Sequence, residues 1–126
     1  KDGESCADGA ISPMAGMDIK GPTAVLNSVG KVPVTYNHLL NQRFLPVFLE
    51  GNNKKIFVQY LRTWGDLGIH HIQFNVVSTD TLLEAQIQPE KYKDLIVRVA
   101  GYSAFFFFLC KGIQDDIIKR TEQSFR

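Results

Sequence analysis

A single glycine set inside an uncharged, strongly apolar stretch limits what this chain can fold into more than any other feature. Ile96–Val99 reads as a strand, Gly101 interrupts it, and four consecutive phenylalanines, Phe105–Phe108, carry the chain away. No charged residue lies between Arg98 and Lys111, so both flanking segments are expected to be buried. Glycine enters such a stretch for its backbone freedom, and a bend between two buried strands is the plain reading. Its bare α-carbon can also carry chemistry that other residues carry less well.

With 126 residues and 44% hydrophobic content, the chain is long enough for one domain with a real core and too short for two. Lys and Arg total 14 against 13 for Asp and Glu, which gives no charge excess to steer it to nucleic acid or an acidic membrane. The uncharged run Val99–Cys110 falls well short of the roughly 20 apolar residues that span a bilayer. A soluble, cytoplasmic protein is expected. Lys1 is not an initiator methionine, and the first residues lack the basic start and apolar core of a signal peptide, so the chain is read as processed or as part of something longer. Cys6 and Cys110 are too few and too far apart for a disulfide framework, which fits a reducing compartment.

In chain order, residues 1–20 carry small residues, Gly, Asp and Pro without periodicity and read as a loop or arm. Gly21-Pro22-Thr23 starts a short helix that Gly30 stops. Val32–Phe48, with Pro33 and Pro46, reads as extended or irregular chain ending in a turn of helix near Pro46. After Asn52 and Asn53, suited to cap a helix, Ile56, Phe57, Tyr60, Leu61 and Trp64 mark one helical face, with Gly68 as the stop. His71–Val77 alternates as a strand, Ile72, Phe74 and Val76 against the uncharged polar Gln73 and Asn75. Ser78–Thr81 offers caps, including the Thr81/Glu84 capping-box spacing, for a helix to about Ile87, and Pro89 begins a short turn ending near Leu95. The strand at His71, this helix and the strand at Ile96 then form a plausible parallel crossover. Residues 112–125 read as an amphipathic helix with Asp115/Lys119 and Asp116/Arg120 pairs. The fold class is α/β.

Conventional site chemistry is thin. His70 and His71 are adjacent and point to opposite faces of a strand, which disfavours a shared metal. Cys110 lies nine residues beyond Gly101, about 30 Å along a straight strand, and is expected to be a small buried core residue. Cys6 lies in a polar loop with nothing to depress its pKa. No phosphate-cradling glycine pattern or nucleophile–base pair stands out. Gly101-Tyr102 followed by aromatics bears a faint likeness to a base-stacking RNA-binding strand, but the preceding residue is Ala100 and the charge is balanced.

The stretch RVAGYSA, Arg98–Ala104, resembles the radical loop of the glycyl radical enzymes. The likeness extends along nearly the whole chain, in the family's order: SPMAGMDIKGPTAVLNSV (Ser12–Val29), NHLLNQRFLP (Asn37–Pro46), HHIQFNVV (His70–Val77), the run from Ala85 to Ala104, and QDDIIKRTE (Gln114–Glu122). The wording of RVAGYSA and HIQFNVV is closer to the branch of diol dehydratases, choline lyase and aryl-acid decarboxylases than to formate lyase.

The resemblance implies the C-terminal part of a glycyl-radical-enzyme barrel, with several helices and short buried strands flanking a glycine loop. It implies that Gly101 is the radical carrier, formed when a radical S-adenosylmethionine activase, a separate iron–sulfur enzyme, removes one hydrogen. Arg98, Val99, Ala100, Tyr102 and Ser103 form the loop that would be presented to this activase. No bound cofactor or metal is implied; the glycyl radical is itself the post-translational modification. Glycine suits the role because its radical lies between an electron-donating amide nitrogen and an electron-withdrawing carbonyl. A separate cysteine in a partner barrel performs the substrate chemistry in this family, and neither Cys6 nor Cys110 corresponds to it.

The whole chain, 1–126, is thus expected to be one glycine radical domain: an arm over 1–20, helices and one strand over 21–95, a strand–glycine loop–strand over 96–109, and the final helix over 112–125. It is either part of a longer lyase, dehydratase or decarboxylase, or an autonomous spare-part cofactor that restores an oxygen-damaged enzyme. The absent initiator methionine favours the first and the self-contained length the second. An inert interaction domain is the alternative of another class. An uncharged, strand-forming run such as RVAGYSAFFFFLC would invite aggregation if left exposed, so a partner barrel is expected to cover it.

Overall fold

The computed structural model describes residues 11–14, 16–33, 39–120 and 122–123. The first half of the expected arm, Cys6 included, residues 34–38 of the expected irregular segment, and residues 121, 124 and 125 of the expected C-terminal helix lie outside them. Gly21, at φ 85°, turns the chain into α1, Pro22–Val29, with Pro22 in its first turn. Pro22, Val25, Leu26 and Val29 are buried at helical spacing. The segment read as extended or irregular chain contains β1, Leu39–Phe44, and ends in the expected turn of helix, a 3-10 turn at Pro46–Leu49. Proline and polar residues obscured the central strand of the fold.

Helix α2 spans Asn53–Asp66, and Gly68 at φ 66° reverses the chain beyond it. The expected asparagine cap does not form: Asn52 makes no side-chain capping bond, and the Asn53 amide donates to Val47 O at 3.1 Å. Strand β2, His71–Val76, pairs in parallel with β1 along its whole length, Leu39 opposite His71 through Phe44 opposite Val76. The β–α–β crossover therefore joins β1 to β2 through α2.

Helix α3, Thr79–Ile87, is capped by Ser78, whose hydroxyl accepts from Thr81 N–H at 3.2 Å. Of the caps offered by Ser78–Thr81 it is thus Ser78 that serves, while Glu84 forms no capping box and accepts from the Tyr92 hydroxyl at 2.5 Å. A 3-10 turn at Pro89–Tyr92 precedes β3, Ile96–Arg98, which pairs antiparallel with β4, Ser103–Phe105. The expected parallel partnership of this strand with β2 is thus replaced by a hairpin. The phenylalanines do not continue the strand, because Phe106–Phe108 wind into a 3-10 turn that buries Phe106 and leaves Phe108 exposed.

Helix α4 runs over Lys111–Lys119, shorter than expected, and the chain then adds β5, Glu122–Gln123, in parallel to β1. Asp116 pairs with Arg120 at 3.4 Å as anticipated, but Asp115 pairs with Lys111 at 3.0 Å instead of bonding Lys119. The Asp115 carboxyl is held below its ordinary pKa, chiefly by a 2.8 Å bond from Gln86 and then by Lys111.

Two cores lie on opposite faces of the β2–β1–β5 sheet. On one, Leu40 and Phe44 pack with α1, α2, Ile72 and Phe74. Phe44 is its hub, its ring edge-on to Phe57 at 5.4 Å and Tyr60 at 5.3 Å and tilted against Phe74 at 5.9 Å. The other core joins Leu82 and Ala85 of α3, Val97 and Val99, Phe106, and Ile117 of α4.

Strand alternation places Asn41, Arg43, Gln73 and Asn75 on the face toward this second core. Arg43, 4% exposed, donates to Ile117 O at 3.0 Å, Ile118 O at 3.2 Å and Thr79 Oγ1 at 2.9 Å, and lies 3.6 Å from Glu122. It thereby ties the central strand to the carbonyl end of α4, where a cation opposes the helix dipole. Burial lowers the pKa of its guanidinium, and Glu122 opposes that shift.

Arg43→Ala should therefore cost about 3 kcal/mol of unfolding free energy in a urea titration, as expected when one partner of a buried charge pair is removed. Asp115 should titrate below the ordinary Asp value of about 3.9 in an NMR pH series. Its contribution to stability should be complete above that value and lost as pH falls through the depressed pKa. Gln86→Ala should move the titration back up.

Candidate functional site

The β3–β4 register, Arg98 opposite Ser103, leaves Val99-Ala100-Gly101-Tyr102 as the hairpin turn. Val99 N–H closes it onto Tyr102 O at 2.9 Å. Gly101 occupies the third turn position at φ 74°, a conformation that L side chains seldom adopt. A Cβ built there meets no atom within 4 Å, so the requirement for glycine is conformational and not a matter of space.

The turn is anchored from below by the polar face of β2. Gly101 N–H donates to Gln73 Oε1 at 3.1 Å. Arg98 N–H donates to Asn75 Oδ1 at 2.6 Å, and Asn75 Nδ2 donates to Arg98 O at 2.5 Å. The Asn75 amide thus offers Arg98 the same donor and acceptor that a neighbouring strand would. Gln73 and Asn75 are only 6% and 8% exposed, so water competes little for these bonds.

Two arginines complete the arrangement. The Arg98 guanidinium folds back over its own turn, donating to Gly101 O at 3.2 Å and Ser103 Oγ at 3.1 Å. Arg120, beyond α4, donates to Arg98 O at 3.1 Å. Both amide hydrogen-bonding groups of Gly101 are therefore engaged while its α-carbon stands in open space.

The residues singled out in the sequence do cluster, but not all in the expected environment. Ala100, Gly101, Tyr102 and Ser103 are exposed, while Val99 is buried in the second core. The expectation that both flanks of the glycine are buried is corrected: Ile96, Tyr102, Phe105 and Phe108 are 59%, 50%, 41% and 76% exposed. Val97, Val99 and Phe106 alone of the neighbouring large apolar residues reach the core fully. Cys110 is also exposed, against expectation, because the 3-10 turn ends the phenylalanine run and leaves it at the start of α4. Among the described residues no group of three or more His, Cys, Asp or Glu side chains could hold a metal ion. No described helix is long and apolar enough to cross a membrane.

Gln73, Asn75 and Arg120 were not among the expected site residues. The signal available for the first two was a strand face both polar and uncharged, unusual for a face that neither core nor solvent explains.

A family model described as "Glycine radical" matches residues 7–107. The chain belongs to the glycine radical family. The trans-4-hydroxy-L-proline dehydratase of Clostridioides difficile is 49% identical over 91% of the chain and 15% of that protein. The isethionate sulfite-lyase of Bilophila wadsworthia is 47% identical over 91% of the chain and 14% of its own length. The structure of the B12-independent glycerol dehydratase of Clostridium butyricum superposes with a TM-score of 0.82 at 47% identity, over 91% of the chain and 15% of the dehydratase. The chain spans about 15% of the length of the relatives it matches. It is a glycine radical domain of the kind found in dehydratases and lyases.

In this glycine radical domain, Asn75→Leu keeps side-chain size while leaving the Arg98 N–H without its partner. It should lower stability by about 2 kcal/mol in a denaturant titration, the usual cost of orphaning such a group, and should speed exchange of the Arg98 amide.

Proposed function

We propose that the chain is the radical store of a glycyl radical enzyme of the dehydratase, lyase or decarboxylase type, with Gly101 as the radical carrier. The observation that carries this reading is the setting of Gly101: a glycine at positive φ on an exposed turn, its amide groups bonded and its α-carbon unobstructed. A hydrogen atom can be taken from such a carbon without moving a side chain out of the way. Ala100, Tyr102 and Ser103, exposed beside it, and the Arg98 guanidinium over the turn form the surface offered to an activase of the radical S-adenosylmethionine type. Val99 supports this surface from the core and becomes available only if the hairpin lifts.

The stored electron is then used elsewhere, on a cysteine of a catalytic barrel in the same or another polypeptide. The exposed hairpin face supports such a partner. Ile96 lies opposite Phe105, and the Phe105 and Phe108 rings meet edge-on at 6.1 Å, which makes a continuous apolar surface suited to burial. Covering it would also keep water and oxygen from the radical.

Anaerobic incubation with a compatible activase, S-adenosylmethionine and a reductant should produce a carbon-centred radical signal in electron paramagnetic resonance. Gly101→Ala should abolish it. The alanine meets no steric clash and costs only about 1 kcal/mol for its left-handed backbone, so circular dichroism should show the variant folded. A wild-type chain that stays silent with every compatible activase would refute the assignment.

A further inference from the structure

The side chains that anchor the turn act on one side of the Gly101 α-carbon. Asn75 takes the N–H and C=O of Arg98, and Gln73 takes the N–H of Gly101. All three groups lie upstream of that carbon in the chain. Downstream, Gly101 O is met by the Arg98 guanidinium, Tyr102 O accepts from Val99 N–H, and the Tyr102 and Ser103 side chains are exposed. The upstream limb is held by buried amides and the downstream limb by partners at the surface.

This asymmetry bears on what a radical at the α-carbon requires. Loss of one hydrogen atom converts a tetrahedral carbon into a planar one, whose half-filled orbital is stabilised by overlap with the π systems of the adjoining amides. Each amide is itself planar, so overlap with the preceding one is greatest in extended backbone and small when the N–Cα bond is turned near a right angle. Gly101 stands at φ 74°, close to the unfavourable arrangement. Rotation about N–Cα toward extended backbone brings the amide nitrogen into conjugation. That rotation swings the atoms attached beyond the α-carbon and leaves the N–H and the α-carbon itself in place.

We propose that Gln73 is a positioning residue for the radical glycine: its Oε1 holds the Gly101 N–H as a fixed pivot about which the turn rotates into its planar, conjugated form. The proposal rests on the reading of Gly101 as the radical carrier. Several features equip Gln73 for the task. Its Nε2 lies 3.2 Å from His71 Nε2, and the tautomer that leaves this ring nitrogen free to accept commits the other end of the amide to Gly101. Its position on β2, paired throughout with the central strand, makes the pivot part of the sheet and not of the loop. The open space beside the Gly101 α-carbon leaves room for the swing, and Asn75 keeps the residues before it in register.

The test compares the full chain with Gln73→Met, which removes the acceptor at similar length, and with Gln73→Glu, which retains an acceptor oxygen. Gln73→Ala serves as a second removal should the methionine variant not fold. Residue-resolved amide exchange before activation is combined with electron paramagnetic resonance after it. In Gln73→Met the Gly101 amide should exchange about fivefold faster, as expected for loss of an ordinary hydrogen bond, while the Val97 and Ile117 amides keep their wild-type rates. The radical formed in this variant should decay faster and show a different α-hydrogen splitting, because that splitting reports the spin left on the carbon. Gln73→Glu should restore both readouts.

A merely structural role would alter Val97 and Ile117 along with Gly101 and leave the splitting unchanged; that result overturns the pivot. So does a wild-type radical accompanied by unaltered exchange and splitting in Gln73→Met. A wild-type chain without any radical signal instead overturns the assignment of Gly101, and the pivot with it, whatever the exchange rates.

Discussion

The hydrogen bonding of one asparagine to the backbone of one arginine supports the arrangement around the glycine. By offering Arg98 both an acceptor and a donor, Asn75 continues the sheet sideways with a side chain where no strand is available. Buried backbone polar groups demand partners, and a three-residue strand such as β3 has few ways to find them. The short hairpin can therefore lie against β2 without joining its ladder. An amide side chain is well suited to this, because it pairs in two directions yet binds only one residue and leaves the next ones free to turn.

The same sheet face explains why the second core is built around polar anchors. Arg43, Gln73 and Asn75 would be out of place beneath an apolar layer, but each meets backbone groups brought by the hairpin or by α4. Arg43 gathers the end of α4 and the start of α3, while Arg120, just past α4, reaches the same Arg98 carbonyl as Asn75. The C-terminal segment thus helps to fix the turn as well as to cover the sheet. On the opposite face Phe44 and its aromatic neighbours supply non-directional cohesion, which frees the polar face for specific geometry.

Much of this was visible in the sequence where local chemistry dictates it. Pro22, Gly30 and Gly68 marked helix limits that the structure keeps, and the alternation at His71–Val76 identified β2 with its two faces. The RVAGYSA stretch located the turn. What escaped depended on partners remote in sequence. Strand β1 was obscured by prolines nearby and by Arg43, whose charge is accommodated only because α4 and β5 return to meet it. The antiparallel pairing of β3 could not be told from a parallel crossover until the tight turn at Gly101 was seen to join it to β4. Phe106–Phe108 looked like strand by composition, but burying Phe106 required a tighter winding. Gln73 and Asn75 were recognised as a polar face without indicating what that face would bind.

The hairpin is held differently on its two sides. Below it lie directional bonds from Gln73 and Asn75, which lose strength steeply with misalignment; above it lies the apolar surface of Ile96, Phe105 and Phe108, whose burial depends on area and hardly on angle. Mechanically this makes the hairpin a bearing, keyed to its own sheet and free to slide against whatever covers it. A covering surface could shift or rock by a few tenths of an ångström with little change in buried area, and the Gly101 α-carbon would keep its place relative to β2.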